Sequence, residues 1–134
     1  METVLLDTDV VSYLLKGDSR AAAYVPLVTG NLVAISFMTV AELFQWAAVR
    51  HWGTKRAAHL AQTLTNYLVI PSDDGMCRLW GKIRADRQSV GLTISPQDAW
   101  IAATALRHHL PLITHNLSDY QGIAGLVVRT ATLP

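Results

Sequence analysis

A chain of 134 residues is one domain, long enough to bury most of its apolar surface without disulfides. A formal net charge of +1 excludes a nucleic-acid binder that works by bulk electrostatics, and a single Cys77 excludes an intramolecular disulfide and a multi-cysteine zinc cluster. Hydrophobic residues make up 51% and charged ones 16%, against about 25% charged in an average domain, so part of the apolar surplus is expected to face a partner.

The lone cysteine fits a reducing, cytoplasmic compartment, and the N-terminus has no basic segment followed by an apolar one that would read as a secretory signal. Thr3 to Leu6 reads as a short strand. Because Val4, Leu5 and Leu6 cannot bury an adjacent charge cheaply, Asp7 is expected where that strand leaves the core. Thr8 or Asp9 then caps a helix whose apolar positions Val10, Val11, Leu14 and Leu15 recur at helical spacing and stop at Lys16-Gly17. Residues 19–29 are helix-prone as far as Pro26, which is expected to end or kink the helix before a turn at Gly30-Asn31.

Leu32 to Phe37 is a second strand and Thr39 to Arg50 an amphipathic helix, with Val40, Leu43, Phe44 and Ala47 on one face. Ser36, Thr39, Glu42 and Gln45 interrupt this apolar stretch, and a charge in mid-membrane is expensive, so it is not read as a membrane span. Gly53-Thr54 opens a helix to about Asn66, and Leu68 to Ile70 is a third strand closed by Pro71. Ser72-Asp73-Asp74 caps a longer helix that Gly91 ends. Ser95-Pro96 begins the next helix, which reaches His108 and His109; Leu110 to Thr114 is a fourth strand and Leu126 to Val128 a fifth. Short strands alternating with helices predict an α/β domain whose mainly parallel sheet is covered on both faces.

The acids can now be placed. In an open parallel sheet, ligands bind in the crevice beyond the carboxyl ends of the strands, so Asp7 is site-like. Thr39-Val40-Ala41-Glu42 and Ser95-Pro96-Gln97-Asp98 both spell a capping box, with Thr39 and Ser95 as N-caps, and that role by itself needs no function. An acid three residues into a helix still lies in its first turn, so capping and site-facing are compatible. Asp119 follows the fourth strand. Asp7, Glu42, Asp98 and Asp119 thus come from four segments, each at a strand exit or helix start, where a right-handed parallel sheet gathers such ends. Asp73 and Asp74 are read as caps.

Carboxylates sharing a crevice repel: at ~5 Å and an effective dielectric of ~20, each pair costs roughly 3 kcal/mol, so the cluster must bind protons or cations. An oxygen-only donor set selects Mg²⁺ or Mn²⁺, and such ions suit hydrolysis of a phosphate ester. Metal-assisted phosphodiester cleavage is the reaction class these residues point to.

Leu5-Leu6-Asp7-Thr8-Asp9, Thr39-Val40-Ala41-Glu42-Leu43, Asp98-Ala99-Trp100-Ile101-Ala102-Ala103-Thr104-Ala105 and Leu112-Ile113-Thr114-His115-Asn116 resemble, in this order and across nearly the whole chain, the PIN domains of VapC-type toxins. The resemblance implies a three-layer αβα sandwich and a Mg²⁺- or Mn²⁺-dependent ribonuclease. It also implies a homodimer and a VapB-type antitoxin partner whose C-terminal segment covers the site. It places the principal metal ligands on Asp7 and Asp98, with Glu42 close by or acting through water. Asp119 is the expected fourth acid, with Asn116 orienting it or a water; Tyr120 stands where an aromatic is usual, and Thr8 is expected to reach the site by its hydroxyl.

Two other readings stay open from the residues alone. Asp7-Thr8-Asp9-Val10 after an apolar strand also fits the start of a haloacid-dehalogenase-like phosphatase, with Asp7 as nucleophile, Asp9 as acid and Ser72-Asp73-Asp74 as its late acidic pair, although a Ser or Thr and a Lys motif between them are not evident. A catalytically silent binding module would keep the fold and lack metal-dependent activity. His108, His109 and His115 read as helix-end and loop residues, and Trp46, Trp80 and Trp100 as core or interface. Arg50, Lys55 and Arg56, and Arg78, Lys82, Arg84 and Arg87, suit either RNA phosphates or a solvated helix face.

Overall fold

A computed structural model describes residues 1–131. Strand β1 (Thr3–Leu6) lies at the middle of a five-stranded sheet in the order β3-β2-β1-β4-β5, built with β2 (Leu32–Ser36), β3 (Leu68–Ile70), β4 (Leu112–Ile113) and β5 (Val128–Arg129). Every pairing is parallel, and Leu5 sits in register with Ala34 on one side and Leu112 on the other. A central parallel strand is covered on both faces, which is why Val4, Leu5 and Leu6 form an unbroken apolar run and are fully buried.

Leu5, Ala34 and Leu112 point into one apolar layer against α5 (Asp74–Ser89) and α6 (Pro96–His108). Val4, Leu6, Ile35 and Ile113 point the other way, against α1 (Thr8–Lys16), α2 (Ala21–Val28), α3 (Phe37–Val49) and α4 (Thr54–Leu64). The result is the αβα sandwich, with a buried layer on each side of the sheet. The chain adds strands on one side of β1 through β3 and then crosses to β4 on the other. The strand order therefore reverses between β1 and β4, and a crevice opens beyond their carboxyl ends.

Local chemistry sets the helix ends, in places against expectation. The cap of α1 is Asp7 itself, whose Oδ1 accepts from Thr8 N at 2.8 Å, rather than Thr8 or Asp9; Gly17 closes the helix at φ 64°, a left-handed value that glycine adopts freely. Helix α2 runs two residues past Pro26. Thr39 is not the cap of α3. The helix begins two residues earlier at Phe37, where Ser36 Oγ accepts from Met38 N at 3.2 Å, and Thr39 is drawn into the buried first turn. Asp73 and Ser95 cap α5 and α6 as expected. Strand β4 keeps only two of the five residues expected of it, and β5 starts at Val128 rather than Leu126.

Candidate active site

Five acids converge at the crevice. Asp7 leaves β1, Asp9 lies in the first turn of α1, Glu42 in α3 and Asp98 in the first turn of α6; Asp119 lies on a single 3-10 turn (Leu117–Tyr120) after β4. Asp7 is only 6% exposed, and its carboxylate is fixed at both oxygens, by Thr8 N at 2.8 Å and by the buried Thr114 hydroxyl at 2.7 Å. Glu42 accepts from Thr8 Oγ1 at 2.8 Å; since that proton is used, the 2.9 Å contact between the Thr8 and Thr39 hydroxyls has Thr39 as donor. Asp9 accepts from His115 N at 3.2 Å and Asn116 Nδ2 at 2.9 Å, and Asp98 accepts from Tyr120 Oη at 3.2 Å.

Asp7, Glu42, Asp98 and Asp119 are therefore brought together as expected, and Thr8 does reach the site. The expected partner of Asn116 is corrected: its amide holds Asp9, because the turn after β4 points it back at α1, and Asp119 stands exposed beside Asp98. Local chemistry gives Thr39, Thr114 and Tyr120 no site role in the sequence, and gives Asp9 one only in the phosphatase reading. An acid two residues after Asp7 and a hydroxyl two residues before Asn116, both at strand exits, are the signals that could have found Asp9 and Thr114 in the crevice.

The electrostatics follow from burial. Loss of water pushes the Asp7 carboxyl up to about 7, the neighbouring Asp9 adding to the rise against the hydrogen bond from Thr114. Burial also raises Asp9, Glu42 and Asp98, and Asp119 pushes Asp98 further. The Tyr120 phenol, buried among the same carboxylates, is raised far above its ordinary value and stays a proton donor.

Five of the chain's ten acids (Glu2, Asp18, Asp73, Asp74 and Asp86) pair with Arg or Lys elsewhere. The other five are the crevice acids, and none of them has a cationic side-chain partner among the described residues. Asp73 and Asp74, the acids a phosphatase reading needs, are tied to Arg107 and Arg78 away from the crevice. An apolar hollow of about 380 Å³ near Ile83, Val90, Leu106 and Ile123 contains none of the crevice acids.

The donor set fits a hard, hydrated cation. Among the described residues no three carboxylate, imidazole or thiol groups close round a bare ion. Mg²⁺ keeps several waters and takes one or two protein carboxylates, which is what oxygens already held by Thr8, Thr114 and Tyr120 can offer.

An all-parallel αβα domain with unpaired carboxylates at its switch point defines the class, and residues 4–122 match the PIN domain. The chain belongs to the PIN-domain family, alongside toxins of the VapC type. Ribonuclease VapC1 of Haemophilus influenzae is 31% identical over 126 residues, covering 91% of this chain and 92% of that protein. Toxin FitB of Neisseria gonorrhoeae is 29% identical over 125 residues, 87% and 90% of the two chains. Among solved structures, VapBC-1 from nontypeable Haemophilus influenzae superposes with a TM-score of 0.81 at 27% identity, covering 97% of this chain and 98% of that one.

Proposed function

We propose that this protein is the toxin of a toxin–antitoxin module, a ribonuclease that hydrolyses RNA phosphodiester bonds with Mg²⁺ or Mn²⁺ held chiefly by Asp7 and Asp98. The observation that carries the reading is the partition of acids: those outside the crevice are neutralised by Arg or Lys, while those inside are left for a cation from solution. Relatives named as ribonucleases and as toxins support it. Bound there, the ion supplies a Lewis acid for the phosphate oxygen and lowers the pKa of a water.

The chain's own residues hold the donors still. Thr8 N and Thr114 clamp Asp7, Tyr120 donates to Asp98, and the hydroxyls of Thr39 and Thr8 point in series at Glu42. Glu42 and Asp119 act as ligands through water, and Asn116 fixes the Asp9 carboxylate within the cluster. A VapB-type antitoxin segment covers the crevice and offers an Arg to Asp7 and Asp98, the bidentate match for paired carboxylates. The working form is a cytoplasmic homodimer; no helix among the described residues is long and apolar enough to cross a membrane.

Asp98→Asn keeps the size and much of the capping capacity of the side chain and removes a ligand charge. RNA cleavage should fall by orders of magnitude, and growth arrest on expression without antitoxin should disappear, while the fold survives. Near-normal Mn²⁺-dependent cleavage by folded Asp98→Asn would show that Asp98 is only a capping acid.

A further inference from the structure

The basic residues divide as sharply as the acids. Of eleven Lys and Arg side chains, Arg20, Arg78, Lys82, Arg107 and Arg129 pair with acids. Among the six without an acid partner in the described residues, Lys16, Arg50, Lys55 and Arg56 come from three neighbouring helix ends: the last residue of α1, the residue closing α3 and the first turn of α4. All four are exposed. Lys16, Trp52, Arg56 and His59 line one shallow hollow. The Arg56 guanidinium lies 4.1 Å from the centre of the Trp52 ring, and that of Arg50 5.5 Å from the centre of Trp46. With no acid in the first turn of α4, the positive charge there is not offset locally. Arg78 and Lys82, tied to Asp74 and Asp86, are by contrast an ordinary solvated face.

The patch has a fixed relation to the crevice. Thr8 and Glu42, joined by a 2.8 Å hydrogen bond, each lie eight residues before a patch cation on the same helix, Lys16 on α1 and Arg50 on α3. At ~1.5 Å per residue that is about 12 Å along either helix. One strand of a nucleic-acid helix carries a phosphate every ~3.4 Å of axis, so the span is about three or four nucleotides. A crevice holding five uncompensated acids repels the backbone it has to cut, and the hold on RNA must come from cations beyond those acids.

We propose that Lys16, Arg50, Lys55 and Arg56, with Trp46 and Trp52, form a second RNA-binding surface that grips the substrate backbone three or four nucleotides from the scissile bond. It rests on the ribonuclease reading above. An acidic protein segment would also answer the charge. The paired arginine–tryptophan surfaces favour nucleic acid, which presents phosphates and flat bases together.

The test uses Asp98→Asn as parent and a triple variant of it, Arg50→Gln, Lys55→Gln and Arg56→Gln, all at exposed positions. Fluorescence anisotropy reads binding to a labelled pool of random 30-nucleotide RNA across a salt series. The triple variant should bind about tenfold more weakly near 0.1 M salt, and the slope of log affinity against log salt should fall by about 2, at 0.7–0.9 per lost phosphate contact. Binding and slope equal to the parent's would overturn the proposal. So would unchanged RNA binding with lost binding of a purified VapB-type antitoxin, which would make the patch a protein-docking surface. If the protein with Asp98 intact cuts no RNA while the triple variant still loses RNA binding and salt slope, the ribonuclease reading fails and the second surface stands.

Discussion

Asp7 carries the most consequential single-residue chemistry. An acid whose value rises on folding, here from 3.8 to about 7, contributes most stability below its unfolded value and loses that contribution as pH rises through its folded one. Between the two values the metal-free protein should become steadily less stable as pH rises, because the native state holds a proton that the unfolded chain has released. Melting temperature in EDTA should therefore fall from pH 5 to pH 7.5, and millimolar Mn²⁺ should restore it more at pH 7.5 than at pH 5, where protons compete. Melting curves that ignore Mn²⁺ at both pH values would count against a shared cation site.

Tyr120 tests the positioning of Asp98. Tyr120→Phe keeps the buried ring and removes a hydroxyl that holds the Asp98 carboxylate. Loss of a hydrogen-bond partner to a metal ligand typically costs 10–100-fold, so Mn²⁺ affinity measured by calorimetry should drop by at least about tenfold. An unchanged affinity would show that Tyr120 only fills space.

At the scale of elements, each helix start is doing two things at once. Ser95→Ala removes the cap of α6 but leaves Asp98 in place, so denaturant unfolding should show a loss of about 1 kcal/mol with most cleavage activity retained, the reverse of Asp98→Asn. Helix α3 offers a second case. Thr39 is fully buried, and its proton supports the Thr8 hydroxyl that holds Glu42. Thr39→Val keeps shape and leaves that acceptor unsatisfied, at a cost of about 1–3 kcal/mol by denaturant titration. A wild-type midpoint would mean that the contact between the two hydroxyls is incidental.

For the whole molecule, the apolar surplus has a visible location. Phe44 on α3 and Leu68 and Val69 on the edge strand β3 are each more than 40% exposed, beside an unpaired strand edge that monomeric proteins usually protect. Light scattering at micromolar concentration should give the mass of a dimer. A monomer would remove the homodimer from the proposed function while leaving the crevice intact.

The sequence by itself determined the alternation of strands and helices, because apolar periodicity and capping residues are local. It also pointed to four of the five crevice acids, although Glu42 lies a turn deeper in α3 than its capping-box spacing predicts, because the helix starts at Phe37. It also carried the order of motifs that resemble the PIN family. Tertiary structure decided the rest. Asp9 joins the cluster only because Asn116 and the His115 amide, more than a hundred residues away, fold back onto it. Thr39 leaves its predicted capping role because Ser36 starts the helix earlier and Thr8 claims its hydroxyl. The division of the acids, and of the cations, into paired and free depends on which side chains meet in space. A net charge of +1 conceals it, since a sum over the chain carries no positions.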